Sequence, residues 1–130
     1  MENITKMIAK NQDIRERSFD FALNTVRNCK RIKEKHREFI LTDQLVRSST
    51  SVGANMREAR NAESKADFIH KLSICQKECD ESVYWLELLM ALLDEEKEQL
   101  LSVHDEAIQL LRIIKTINLR TKENSNWKKR

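Results

Sequence analysis

Proline is absent from this chain and glycine occurs once, at Gly53. Those two residues supply most tight-turn chemistry, so β-hairpins are not expected. Cysteine is scarce and odd in number: Cys29, Cys75 and Cys79 make no disulfide framework, and their half-apolar helical positions suit a reducing compartment. No stretch approaches the ~20 apolar residues needed to cross a bilayer, so no membrane association is expected. The first residues also lack the apolar run of a signal peptide, which makes the cytoplasm the expected location. A strong charge of one sign is missing too. The net charge of +3 permits contact with nucleic acid without arguing for it.

What the chain does have is material for helices. Its 130 residues are enough for one domain with a real core, and 40% hydrophobic with 35% charged residues is the profile of long amphipathic helices. The organising stretch runs from Gln44 to Glu58 and is built from small side chains: Ser48, Ser49, Ser51, Gly53 and Ala54. Glycine costs a helix about 1 kcal/mol against alanine, so a helix that tolerates such residues needs an offsetting gain. Close approach of a neighbouring helix is that gain. Leu41, Leu45, Val52, Met56 and Ala59 keep helical spacing through the stretch, which excludes a serine-rich loop.

The order of elements follows from periodicity and caps. Residues 1–12 form a loose polar arm, and Asp13 with Glu16 marks a helix start. Helix 1 runs to about Lys35. Ile14, Phe21 and Ile32 lie on one line and Phe19, Leu23 and Val26 on another, an arc wider than one bundle face needs. A basic run, Arg27 to Arg37, ends it. Helix 2 starts between Arg37 and Asp43 and ends near Arg60, with a second line of Phe39, Val46 and Gly53. Ser64 and Asp67 cap helix 3, which runs to about Leu93 on a stripe from Phe68 through Leu72, Cys75, Cys79, Val83 and Leu86 to Met90. Asp94, Glu95, Glu96 and Glu98 mark the next turn. Helix 4 extends from Lys97–Ser102 to about Lys122, and the tail 124–130 is basic. Short turns joining four helices predict an all-α, antiparallel up-down-up-down four-helix bundle over residues 13–123.

Three groups of residues are candidates for more than packing. Glu78 and Glu81 interrupt the second apolar band of helix 3, and buried carboxylates need partners. Arg47 is the predicted partner, with Gln44 and Asn55 nearby, as a structural polar network rather than an acid–base site. Ile74, Trp85 and Leu88, together with Phe39, Val46 and Gly53, exceed what one bundle can bury and are assigned to a subunit interface. Arg57, Arg60, Lys65, Arg120, Lys122, Lys128, Lys129 and Arg130 gather at the bundle end opposite the acidic turn, where the basic run is neutralised. That end is the candidate for phosphate contact. Cys75 and Cys79, four apart on one face, are half of a zinc site at most, and no Glu-x-x-His pair for a di-metal centre occurs. No cofactor, metal or catalytic residue is expected.

The stretch Gln44-Leu-Val-Arg-Ser-Ser-Thr-Ser-Val-Gly-Ala-Asn-Met-Arg-Glu-Ala59, with Ser64–Ile74 and Lys77–Leu86 following in order, resembles a bacterial four-helix-bundle family. That family includes proteins encoded by intervening sequences in the 23S ribosomal RNA gene, and it is related to accessory variability determinants of diversity-generating retroelements. Met56 replaces a usual isoleucine, and Cys75 and Cys79 replace frequent alanines. The resemblance implies a bundle that assembles as a homopentamer, relatives that bind RNA or DNA or associate with a reverse transcriptase, and no catalytic activity. A protein–protein assembly module without nucleic acid is the alternative.

Overall fold

The computed structural model describes residues 14–124. Four helices follow in order: α1 (Ile14–His36), α2 (Ile40–Arg60), α3 (Lys65–Leu92) and α4 (Lys97–Glu123), with a single 3-10 turn at Asp94–Glu96 before α4. The arm 1–12, the Asp13 cap and the tail beyond Asn124 lie outside the described residues. Successive helices pack side by side, α1 on α2, α2 on α3 and α3 on α4, and a thinner α1–α4 contact closes the antiparallel bundle. At 1.5 Å per residue the 28-residue α3 is about 42 Å long.

Local chemistry sets the helix ends. At α3 the Ser64 hydroxyl accepts from the Asp67 amide at 3.0 Å, and the Asp67 carboxylate accepts from the Glu63 amide at 3.2 Å. At the C-terminus of α1 Arg37 takes the left-handed conformation, φ 57°, and its amide donates to the Lys33 carbonyl at 3.0 Å. Glycine is the usual residue there, and the chain's one glycine is used elsewhere. The α2 entry has no side-chain cap from Phe39. Instead the Glu38 carboxylate accepts from the Leu41 amide at 2.8 Å.

The core follows the predicted stripes. Phe21, Ile32, Leu45, Val52, Leu72, Leu86, Leu100, Leu110 and Ile114 are sealed from solvent. The small residues of α2 serve two neighbours. A Cβ placed on Gly53 would stand 3.4 Å from the Ser18 carbonyl oxygen, so α1 lies directly over the glycine. Ser48 and Ser49 are fully buried, and Ser48 meets Ser82 of α3. Ala54 differs from the expected hub: it is exposed. The second line of α1 is likewise outside the core, with Phe19 55% and Leu23 37% exposed, because α2 and α4 cover only the Ile14–Phe21–Ile32 side.

Candidate nucleic-acid interface

The polar network predicted around Arg47 forms between α2 and α3. Arg47 Nη1 donates to Glu78 Oε2 at 2.9 Å, Nη2 pairs with Glu81, and Nε donates to Gln44 Oε1 at 3.4 Å. Trp85 Nε1 donates to Glu81 Oε2 at 3.2 Å, which ties one interface candidate into the same group. Glu78 is 8% exposed, so its charge is met by a guanidinium rather than left bare. Asn55 is not part of it. Its amide donates to the Ser51 carbonyl and hydroxyl, at 2.9 and 3.0 Å. Arg47's contacts are two carboxylates on α3 and an amide on its own helix, and the arrangement ties α2 to α3.

A second network lies at the turn before α4. Glu96 is buried at 1% exposure. Arg31 donates to its Oε1 from Nη2 at 2.7 Å and Nε at 3.2 Å, while His36 Nε2 stands 3.0 Å and Lys35 Nζ 3.8 Å from its Oε2. The other ring nitrogen of His36 is 3.3 Å from Glu95. Desolvation disfavours the ionised Glu96, but the hydrogen bonds from Arg31 and His36 and the charges of Arg31 and Lys35 outweigh it and hold the carboxyl below its ordinary value. The expected neutralisation of the basic run by the acidic turn therefore has specific partners, joined by a Lys33–Asp43 pair at 2.5 Å. The deep burial of one of these acids carried no periodicity signal.

The three thiols are buried, and burial pushes each up to about 12. Cys75 and Cys79 Sγ donate to the Val52 and Ala107 carbonyls at 3.6 and 3.3 Å, which makes them core residues. Among the described residues no three His, Cys, Asp or Glu side chains group to hold a metal.

At the opposite end Arg57, Arg60, Lys65, Arg120 and Lys122 come together from the C-termini of α2 and α4 and the start of α3. Arg57, Arg60, Arg120 and Lys122 are exposed, with no ion pair among the described residues. Lys65 is engaged: its ammonium donates to the Asn124 carbonyl at 2.6 Å and caps α4. Lys128, Lys129 and Arg130 lie outside the described residues.

The interface candidates divide. Phe39 is 46% exposed, with the Arg37 guanidinium 5.4 Å above its ring. Ile74, Trp85 and Leu88 are half-buried, and Trp85 also packs on the core. Val46 packs on the core and Gly53 lies under α1, so both are used at least partly within the chain. Sequence reasoning missed other exposed apolar side chains, among them Ile40, Tyr84, Leu101 and Leu119, because each sits on an otherwise polar face.

Two shallow grooves of opposite character flank α4. The α1–α4 groove, about 250 Å³, is acidic, with Asp20, Asp105 and Glu106 in its walls. The α3–α4 groove, about 270 Å³, carries Lys77, Lys115 and Lys122. No helix among the described residues is long and apolar enough to cross a membrane.

Comparison with known proteins agrees with this architecture. A family model described as 23S rRNA-intervening sequence protein matches residues 10–116. A solved structure from Bacteroides thetaiotaomicron, described as a protein of unknown function from the S23 ribosomal protein family, is similar at 38% identity and a TM-score of 0.77. The match covers 81% of this chain and 97% of that one. No curated protein matches. Neither description is that of an enzyme family. With the model spanning most of the bundle and the small-residue stretch of α2 inside it, this chain belongs to the 23S rRNA-intervening sequence protein family.

Proposed function

We propose that this chain is a non-enzymatic, cytoplasmic scaffold that self-associates, as a homopentamer, and binds nucleic acid or a partner that processes it, such as a reverse transcriptase. The observation that carries the reading is the sorting of its cations. In the basic run before the α1–α2 turn, Arg31, Lys33 and Lys35 pair with Glu96, Asp43 and Glu95. Arg57, Arg60, Arg120 and Lys122 at the other end are exposed and form no ion pair among the described residues. Unpaired surface cations release counterions when they meet phosphates, and a ring of copies would repeat the patch. Exposed Phe19, Phe39, Ile40, Leu92 and Leu101 support self-association, since large apolar side chains on a small bundle are surface that another copy can cover.

The test has two parts. Multi-angle light scattering of the intact protein should give a mass near five copies. Binding to mixed-sequence RNA, measured at roughly 50 and 200 mM salt, should weaken steeply with salt. Assembly without RNA or DNA binding at low salt would favour the second reading, a protein–protein assembly module, which the same exposed apolar residues support. A stable monomer at high dilution would remove the oligomeric scaffold altogether.

A further inference from the structure

We propose that the α3–α4 groove is a phosphate-backbone site, so that nucleic acid lies along the side of the bundle and not only across its end. This rests on the nucleic-acid reading above and adds to it a specific surface. Three observations carry it.

First, Lys77 from α3 and Lys115 and Lys122 from α4 line one groove of about 270 Å³, and none of the three forms an ion pair among the described residues. Elsewhere Arg17 pairs with Glu106, Arg31 with Glu96, Lys33 with Asp43, Arg47 with Glu78 and Lys71 with Glu58. Three free ammonium groups around one depression repel one another, and an anion placed between them removes that cost.

Second, the floor is polar and incompletely satisfied. Asn118 is buried at 5% exposure, and its Nδ2 donates to Ser73 Oγ at 3.2 Å and to Gln76 Oε1 at 3.5 Å. Its Oδ1 has no partner among the described residues, although buried polar atoms normally do. As an acceptor it suits a ribose hydroxyl or a base N–H beside the backbone, not a phosphate oxygen. Ser73 and Gln76 line the same groove, so the floor has hydrogen-bonding capacity that the chain itself does not use.

Third, charge is segregated along α4. Its first half turns Asp105 and Glu106 toward the α1 side. In its second half Lys115 and Lys122, seven apart and so on one line, both face the α3–α4 groove, about 10 Å apart at 1.5 Å per residue. Lys122 belongs both to this face and to the basic end, so the two surfaces are continuous. One carboxylate, Asp80, also lines the groove, forms no ion pair among the described residues and works against an anion there.

The experiment compares the full chain with Lys77→Gln/Lys115→Gln, Arg57→Gln/Arg60→Gln and Asp80→Asn, using fluorescence anisotropy of a labelled mixed-sequence single-stranded RNA. All four substituted lysines and arginines are exposed, and circular dichroism and light scattering verify fold and assembly. The lysine pair should weaken binding on the order of tenfold and lower the log–log salt slope by about 1.4, roughly 0.7 per single-strand phosphate contact. Asp80→Asn should tighten binding. If the wild type binds, Arg57→Gln/Arg60→Gln weakens it and Lys77→Gln/Lys115→Gln does not, the groove is overturned while the nucleic-acid reading stands. If the wild type fails to bind at low salt, both fall. Equal loss of binding to poly-glutamate would overturn the phosphate site in favour of an unselective cation patch.

Discussion

Ser48 on α2 and Ser82 on α3 meet oxygen to oxygen at 2.8 Å in a part of the bundle sealed from water. Each hydroxyl also reaches a carbonyl of its own helix, Ser48 that of Leu45 at 3.3 Å and Ser82 that of Glu78 at 2.9 Å, so neither is left bare whichever donates across the pair. The pair sits one turn from the Arg47–Glu78 contact, and together they set how closely α2 and α3 approach.

At that position size should matter more than polarity. Ser48→Ala loses one hydrogen bond while Ser82 keeps its carbonyl, and should cost about 1 kcal/mol. Ser48→Leu forces the helices apart and should cost about 1–3 kcal/mol or more. Urea unfolding of both variants checks this, and equal losses would contradict the close-packing account.

Gly53 makes a different prediction. A β-carbon there meets the Ser18 carbonyl oxygen at 3.4 Å, an ordinary contact, so Gly53→Ala should fit and gain up to about 1 kcal/mol of helix propensity. Gly53→Leu would press into the α1 backbone and should destabilise. A melting temperature that rises for alanine and falls for leucine confirms it. A fall for both would mean that α1 sits closer than the structure places it.

Glu96 supplies the pH dependence. Its carboxyl is held below the ordinary value of 4.5 in the folded chain, so its ionised form stabilises the fold above that pH. The contribution fades as pH falls below the ordinary value and is gone once the folded carboxyl protonates. Glu96→Gln should lose about 2 kcal/mol at neutral pH, the scale of hydrogen bonds to a charged group. It should also flatten the stability profile on the acid side of pH 4.5. A variant whose acid profile runs parallel to the wild type would show that the turn draws nothing from this charge.

The Arg47 network should behave as a coupled unit. Arg47→Met strands Glu78 and Glu81 and should destabilise by about 2 kcal/mol, less than a fully buried pair because Arg47 is half exposed. Arg47→Met/Glu78→Leu should recover much of that loss, since apolar replacement removes the uncompensated charge. Additive losses in the double-mutant cycle would show that the two side chains do not interact.

Most of the architecture was already written in the order of residues. Apolar spacing from Ile14 to Ile117 determined four helices, Ser64 and Asp67 determined where α3 begins, and the small side chains around Gly53 called for close neighbours. Arg47 could be matched to Glu78 and Glu81 because charges inside an apolar band demand a partner. These signals are local or periodic, and one helix carries each of them.

Only the packed bundle decided the rest. That Asn55 turns back to Ser51, that Glu96 is the buried acid of its cluster, and that Lys77 joins Lys115 and Lys122 across a groove depend on the rotation of each helix about its axis. Helix rotation is set by how side chains from several elements fill one shared volume. No single segment contains that information, because its neighbours are brought to it only when the chain folds.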